Sequence, residues 1–293
     1  MPRGDLSPVD DPADPRVREF VALKDADLRA RSRQPGWSDP DGGEHGRFIA
    51  EGELVVDRLL ASRFRPRSVL VAASKVERMG PLLDRVPAGV PILAASQPVM
   101  DRIVGFHIHR GILASADRGP PLPPDRALRG ARAVLALEAL ANHDNVGGIF
   151  RSAAALGADA ILLSPDCCDP LYRKAIRVSM GHALHVPFAV LHDFPAALAT
   201  LRTSGFGVIG LTPGPGSLPL DAVPPAERFI LVVGAEGDGL RPPTMAACTT
   251  LARIPMRPGV DSLNVAVAAS IALHRLGMSP DRHVQPLARS DVE

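Results

Sequence analysis

The stretch AVLALEALANHDNVGGIFRSAAALGADAILLS, residues 133–164, decides the fold. Its two apolar ends, AVLALEAL and DAILLS, read as strands buried on both faces, and the segment from Asn145 to Leu156 between them reads as a small, alanine-rich helix. Strand, helix and strand in that order make a parallel pair joined by a crossover. The alternation continues downstream through the strands FAVL, GVIGLT, FILVVG and TLARIP. Helices read at DPLYRKAIRVSMG, at FPAALATLRTSG, shortly after LRPPT, and at SLNVAVAASIALHRLG. The fold class that follows is α/β, with a parallel sheet covered on both faces.

Working outward, 293 residues that are 46% hydrophobic can fill two cores. Aromatics make up only 4%, so Val, Leu, Ile and Ala carry the packing. Residues 117–130, DRGPPLPPDRALRG, hold four prolines and no periodic apolar face, which reads as a linker. The expected organisation is a partly flexible arm at 1–45, a small α/β domain at 46–116, the linker at 117–130, the main α/β domain at 131–280 and a tail at 281–293. Within the arm, DPRVREFVALKDADLRARSR is expected to be a helix with Val17, Phe20, Val21 and Leu28 on one side. In the small domain, a strand or turn precedes a helix ending near Ser62, followed by strands at SVLVAA and VPILAAS and a short helix at QPVMDRIVG.

A formal net charge of +1 excludes a polyelectrolyte, so contact with nucleic acid has to come from local clustering. Three cysteines, Cys167, Cys168 and Cys248, form neither a CxxC pair nor a disulfide framework, and a reducing cytoplasm is expected. The acidic, proline-containing start MPRGDLSPVDDPADPRV lacks the apolar centre of a secretory signal, and no apolar run reaches membrane-spanning length, so no membrane partner is expected. GxxxxGK[ST], HExxH and GxSxG are absent, which excludes the common NTPase, zinc-protease and hydrolase patterns. His107 and His109 alternate as in a strand, without partners for a metal, and no metal is expected.

Three Gly-marked loops follow strands of the main domain: HDNVGGIFRSA, GAEGDGLRP and IPMRPGVDSLNVAVA. Ligands of open α/β sheets bind at such places. Asn145 reads as the N-cap of its helix, and Gly147 and Gly148 admit close approach; capping and packing alone would account for all three. Arg151 lies on that helix, either reaching a phosphate or ribose oxygen or pairing with Glu138 or Asp144. Glu236, between small neighbours, either holds a substrate hydroxyl or caps the next element. Ser262 reads as an N-cap, whereas Asn264 inside a helix needs a partner for its amide.

Together the three loops resemble the SpoU (TrmH-type) RNA 2′-O-methyltransferases of the SPOUT superfamily. Asn145, Gly147 and Arg151 match the family's first motif, N-x-G-x-x-x-R. Gly234, Glu236, Gly239 and Leu240 match G-x-E-x-x-G-L, and Ile254, Pro255, Met256, Ser262, Leu263, Asn264 and Val265 match the third. The likeness covers residues 130–277. It implies a C-terminal trefoil knot, a homodimer whose sites borrow groups from both subunits, and S-adenosylmethionine bound near Leu211, Gly234, Ile254, Met256 and Leu263. The implied reaction is methyl transfer to a ribose 2′-hydroxyl of rRNA or tRNA. Asn145, Arg151, Glu236, Ser262 and Asn264 would form the catalytic set, with Arg151 orienting ribose and phosphate because a guanidinium is a poor base. The small domain resembles the substrate-binding domain that often precedes this one. There Arg58, Arg63, Arg65 and Arg67 cluster around Phe64 without an intervening acid, which suits either phosphate contact with base stacking, as an RNA grip, or a solvated helix end. Arg173 and Arg177 extend that expectation into the main domain, and Arg29, Arg31 and Arg33 into the arm. The alternative is a non-catalytic RNA-binding factor in ribosome assembly that keeps the same fold.

Overall fold

The computed structural model describes residues 6–21, 45–214 and 216–277, so Leu28, Arg29, Arg31, Arg33 and the expected tail lie outside the described residues. The chain divides into two compact units. Among the described residues, the first runs to Pro120 and also takes Leu171–His185; the second comprises Pro121–Pro170 and the chain from Val186 to Gly277.

The first unit is built on a five-stranded mixed sheet in the order β1-β4-β3-β5-β2. Its strands are β1 (Leu6–Val9), β2 (Arg47–Glu51), β3 (Arg65–Ala72), β4 (Ile92–Ala95) and β5 (Ile112–Asp117), with helices α1 (Glu53–Leu60) and α2 (Gln97–Val104) between them. β3 and β4 are parallel, and β5 runs antiparallel to both β2 and β3. The start of the chain is part of this sheet, because β1 pairs with β4 and the 3-10 turn Pro15–Phe20 drives Val17 and Phe20 into the core beside Leu70, Met100 and Leu113. The helix expected over residues 14–33 is therefore a single short turn in the part that is described. Residues 107–110, expected to be extended, precede β5 and do not join it.

The second unit carries a seven-stranded sheet, order β10-β12-β9-β11-β6-β7-β8, in which each recorded pairing is parallel. It comprises β6 (Ala133–Leu137), β7 (Ala160–Leu163), β8 (Phe188–Val190), β9 (Gly207–Leu211), β10 (Leu218–Pro219), β11 (Phe229–Val233) and β12 (Thr250–Arg253). The helices are α3 (His143–Leu156), α4 (Arg173–Val178), α5 (Phe194–Thr203), α6 (Pro242–Ala247) and α7 (Val265–Gly277), of which α4 belongs to the first unit. The strand centres are fully buried Val, Ile, Leu and Ala, as expected of a sheet covered on both sides. On one face Val134, Leu162, Val208 and Ile230 pack against Phe194 and Leu198 of α5. Part of the expected linker joins this core: Pro124–Ala127 form a helical turn, and Ala127 and Leu128 are buried in the same cluster. On α3, a Cβ added at Gly148 would meet Ala266 Cβ of α7 at 3.3 Å, and Ser270 Oγ donates to Ser152 Oγ at 2.7 Å.

The segment Leu171–His185 departs from the expected contiguous domain at 131–280, and its contacts give the reason. Arg173, 7% exposed, donates to Glu51 Oε2 at 2.8 Å and stacks on the Phe106 ring at 4.9 Å. Arg58 donates to the carbonyl of Met180, and His185 Nε2 donates to the Arg58 carbonyl at 2.9 Å. A buried carboxylate is stable only when paired, and Glu51 finds its partners on α4.

Candidate active site

The second unit gathers the three loops around one cavity. After β11 the chain makes a tight reversal in which Gly239 N–H donates to Ala235 O at 3.1 Å. Gly237 and Gly239 take φ of +89° and +69°, where a side chain is strained. A Cβ at Gly234 would stand 2.3 Å from the carbonyl carbon and oxygen of Gly239, so glycine there is a condition of closing the loop. The reversal carries Glu236 at its exposed tip.

α3 starts earlier than expected. Asn142 is its N-cap, accepting from Asp144 N–H at 2.9 Å, so Asn145 lies inside the first turn and its amide is released for other work. Asn145 is 5% exposed; its Nδ2 donates to Glu236 Oε1 and its Oδ1 accepts from Asn264 Nδ2 at 2.9 Å. Asn264 caps α7, since its Oδ1 accepts from the N–H of Ala266 at 2.9 Å and of Val267 at 3.3 Å. The expected caps are thus both displaced: Asn142 takes the place read for Asn145, and Asn264 takes that read for Ser262. Glu236, read as a possible cap, instead receives an amide proton. One chain of side-chain hydrogen bonds joins the three loops.

Above this chain lies a cavity of about 380 Å³, within the usual range for small-ligand sites. Leu211, Gly234, Glu236, Ile254, Met256, Ser262, Leu263, Asn264 and Val265, all singled out from the sequence, line it, and Thr212, Pro213 and Ala268 add to the wall without having been singled out. Leucine, isoleucine, methionine and valine side chains give apolar surface, while the loop from Gly234 to Gly239 presents backbone polar groups and the Glu236 carboxylate.

Arg151 is not brought to the cavity. It is exposed on α3, and neither Glu138 nor Asp144 is recorded as its partner. Glu138 is instead buried, accepting from Arg241 N–H at 2.9 Å and from the Thr244 hydroxyl.

The arginines expected to grip RNA are largely engaged inside the first unit. Arg67 pairs with Glu19 at 2.8 Å and Asp117 at 2.9 Å, Arg58 and Arg173 are held as described, and Arg177 lies 3.7 Å from Glu51. The sequence cluster has no acid within it, but the fold delivers acids from elsewhere. Arg63 lies over the Phe64 ring at 4.6 Å, and burial pushes its pKa down; Arg65 is exposed. Burial pushes the thiols up, Cys168 to about 12 and Cys248 to about 11, which keeps them protonated at neutral pH. Among the described residues no group of three or more His, Cys, Asp or Glu side chains is placed to hold a metal ion, and no helix is long and apolar enough to cross a membrane.

A parallel sheet with a cavity lined by the loops at its strand ends defines an α/β protein of the open-sheet class. An AdoMet-bound rRNA methyltransferase from Sinorhizobium meliloti shares the fold, with a TM-score of 0.72 at 24% identity over 93% of this chain and 98% of that one. The SpoU rRNA methylase family model matches residues 132–274. An uncharacterized tRNA/rRNA methyltransferase of Mycobacterium tuberculosis is 42% identical over 285 residues, 96% of this chain and 95% of the relative. A 23S rRNA (guanosine-2′-O-)-methyltransferase of Acinetobacter baylyi is 31% identical over 194 residues, 64% of this chain and 78% of the relative. The chain belongs to the SpoU family.

Proposed function

We propose that this protein is an S-adenosylmethionine-dependent RNA methyltransferase acting on a ribose 2′-hydroxyl of rRNA or tRNA. The observation that carries the reading is the hydrogen-bonded set Asn145, Glu236 and Asn264 at the edge of the cavity. The cavity suits the cofactor: its apolar wall accepts a flat heteroaromatic ring, the loop backbone offers polar groups to a ring edge and a ribose, and the carboxylate of Glu236 complements a cation. Leu211, Gly234, Ile254, Met256 and Leu263 would hold it, with Ser262 at the rim. When bound, S-adenosylmethionine supplies an electrophilic methyl group on a sulfonium.

The protein's own contribution is positioning. Asn145 holds Glu236 in place, and Asn264 fixes Asn145 while capping α7, so the three loops keep one geometry. Arg151 has the fork geometry to orient a phosphate and its ribose. Its distance from the cavity is accounted for by a homodimer in which each subunit offers Arg151 to the other's site. The exposed apolar face of α7, with Val267 and Ile271 each over 40% exposed, supports that pairing. A trefoil knot formed by the loops around the cavity belongs to the same reading, as does RNA contact by the first unit through Arg65.

Calorimetric titration with S-adenosylmethionine, followed by nucleoside analysis of RNA incubated with the protein and labelled cofactor, tests the reading. Saturable binding, weakened at least tenfold by Asn264→Ala, and label on a 2′-O-methylated nucleoside are expected. Label on a base would refute ribose specificity. Absence of cofactor binding both alone and with RNA present would favour an assembly factor.

A further inference from the structure

Glu138 is a buried carboxylate, 1% exposed, that the proposed chemistry does not use. It follows the last residue of β6, and its hydrogen bonds converge on the two ends of the Glu236 loop and on the helix that follows it. Its backbone N–H donates to Val233 O at 2.9 Å, where the loop leaves β11. Its Oε2 accepts from Arg241 N–H at 2.9 Å, where the loop ends, and its Oε1 accepts from the Thr244 hydroxyl in the first turn of α6. One residue therefore grips both ends of the reversal that carries Glu236.

The surroundings hold Glu138 and Arg241 in turn. Ala139 has φ +56°, a conformation alanine seldom adopts, and it turns the chain immediately after Glu138. Its N–H donates to Ser164 Oγ at 2.9 Å, and that hydroxyl donates to Asp166. Asp166 receives the Arg241 guanidinium, so Arg241 is fixed through its backbone by Glu138 and through its side chain by Asp166. The ends of β6 and β7 thus form a platform under the loop, and the strained turn at Ala139 is part of it.

We infer that Glu138 is a positioning residue, which clamps the two ends of the 234–241 loop so that Glu236 meets Asn145 and the cavity wall keeps its shape. This deepens the proposed function and rests on it only where the cofactor is concerned. Glutamine can keep the clamp, since its Oε1 can accept from Arg241 and its amide can donate to the Thr244 oxygen. Alanine removes both bonds.

Two measurements test the inference, amide hydrogen exchange and cofactor titration, on wild type, Glu138→Ala, Glu138→Gln, Thr244→Val and Ile103→Val, the last a variant in the core cluster of the first unit. In Glu138→Ala the Gly239 amide is expected to exchange at least tenfold faster while the amides of β6 stay protected, and S-adenosylmethionine affinity to fall at least tenfold. Glu138→Gln and Ile103→Val should stay within threefold of wild type in both. Should Glu138→Ala not fold, Thr244→Val replaces it, with a three- to tenfold change expected. Gly239 exchange within twofold of wild type in the variant that decides, or Glu138→Gln as impaired as Glu138→Ala, overturns the clamp. A wild type that binds no cofactor, either alone or with RNA present, refutes the proposed function and leaves the exchange result to judge Glu138.

Discussion

The two units treat their polar residues in opposite ways. In the second, Asn145, Glu236 and Asn264 come from loops 91 and 119 residues apart in sequence and satisfy one another at the edge of a cavity. In the first, arginines are drawn to acids distant in sequence: Arg67 to Glu19 and Asp117, Arg173 and Arg177 to Glu51. Clustering along the chain is thus a poor guide to a binding surface, because tertiary structure can bring a counter-charge to each member. Short polar residues beside glycines are a better guide. They are disfavoured within helices and strands unless a partner elsewhere satisfies them.

The sharpest way to break the contrast is Glu51→Ala, which leaves Arg173 buried without its carboxylate. Loss of a partner from a buried pair costs about 3–5 kcal/mol, so chemical denaturation should show the first unit strongly destabilised. Cofactor affinity of the folded protein should not change; a tenfold loss would mean the units do not divide the work as described. Next comes Arg151→Ala, which removes no recorded interaction and should alter stability by less than about 0.5 kcal/mol while lowering methyl transfer by about 100-fold or more. Near wild-type turnover would remove Arg151 from the active site. Arg65→Ala should weaken RNA binding by a few-fold without destabilising the protein, whereas Arg67→Ala should destabilise the first unit and leave RNA affinity per folded molecule the same. The reverse pattern would restore the reading made from sequence.

The smallest effect concerns pH. Burial holds the His185 pKa below its ordinary value, so the unfolded chain takes up a proton that the folded first unit resists. Stability from this residue is complete above the unfolded value near 6.5 and declines as pH falls through the folded value. Thermal melts between pH 7.5 and 5 should show a modest fall, flattened in His185→Gln; an unchanged slope in that variant would assign the dependence to another group.

Much of the second unit was legible because a fully buried parallel strand has few ways to be written: AVLAL, AILL and FILVV each became a strand. The cavity residues were legible through family motifs, not through physical pattern. The caps were misread by a few positions, because Asn142 and Asn145 both suit a helix start and only a distant carboxylate decides which one is free. β1 could not be read at all: LSPV carries no alternation, and its partner β4 lies more than 80 residues away. Arg173 was read as a surface residue for the same reason, since Glu51 and Phe106 are invisible from its neighbourhood in sequence.

Leu171–His185 leaves the second unit, completes the first and returns. Neither unit is therefore a continuous piece of chain, and no single cut yields one of them whole. A gene fragment ending at Pro120 would encode a first unit whose Glu51 has lost both arginines, and the remaining fragment would carry fifteen residues with nothing to pack on. Exchange of the first unit between relatives would have to move two segments together.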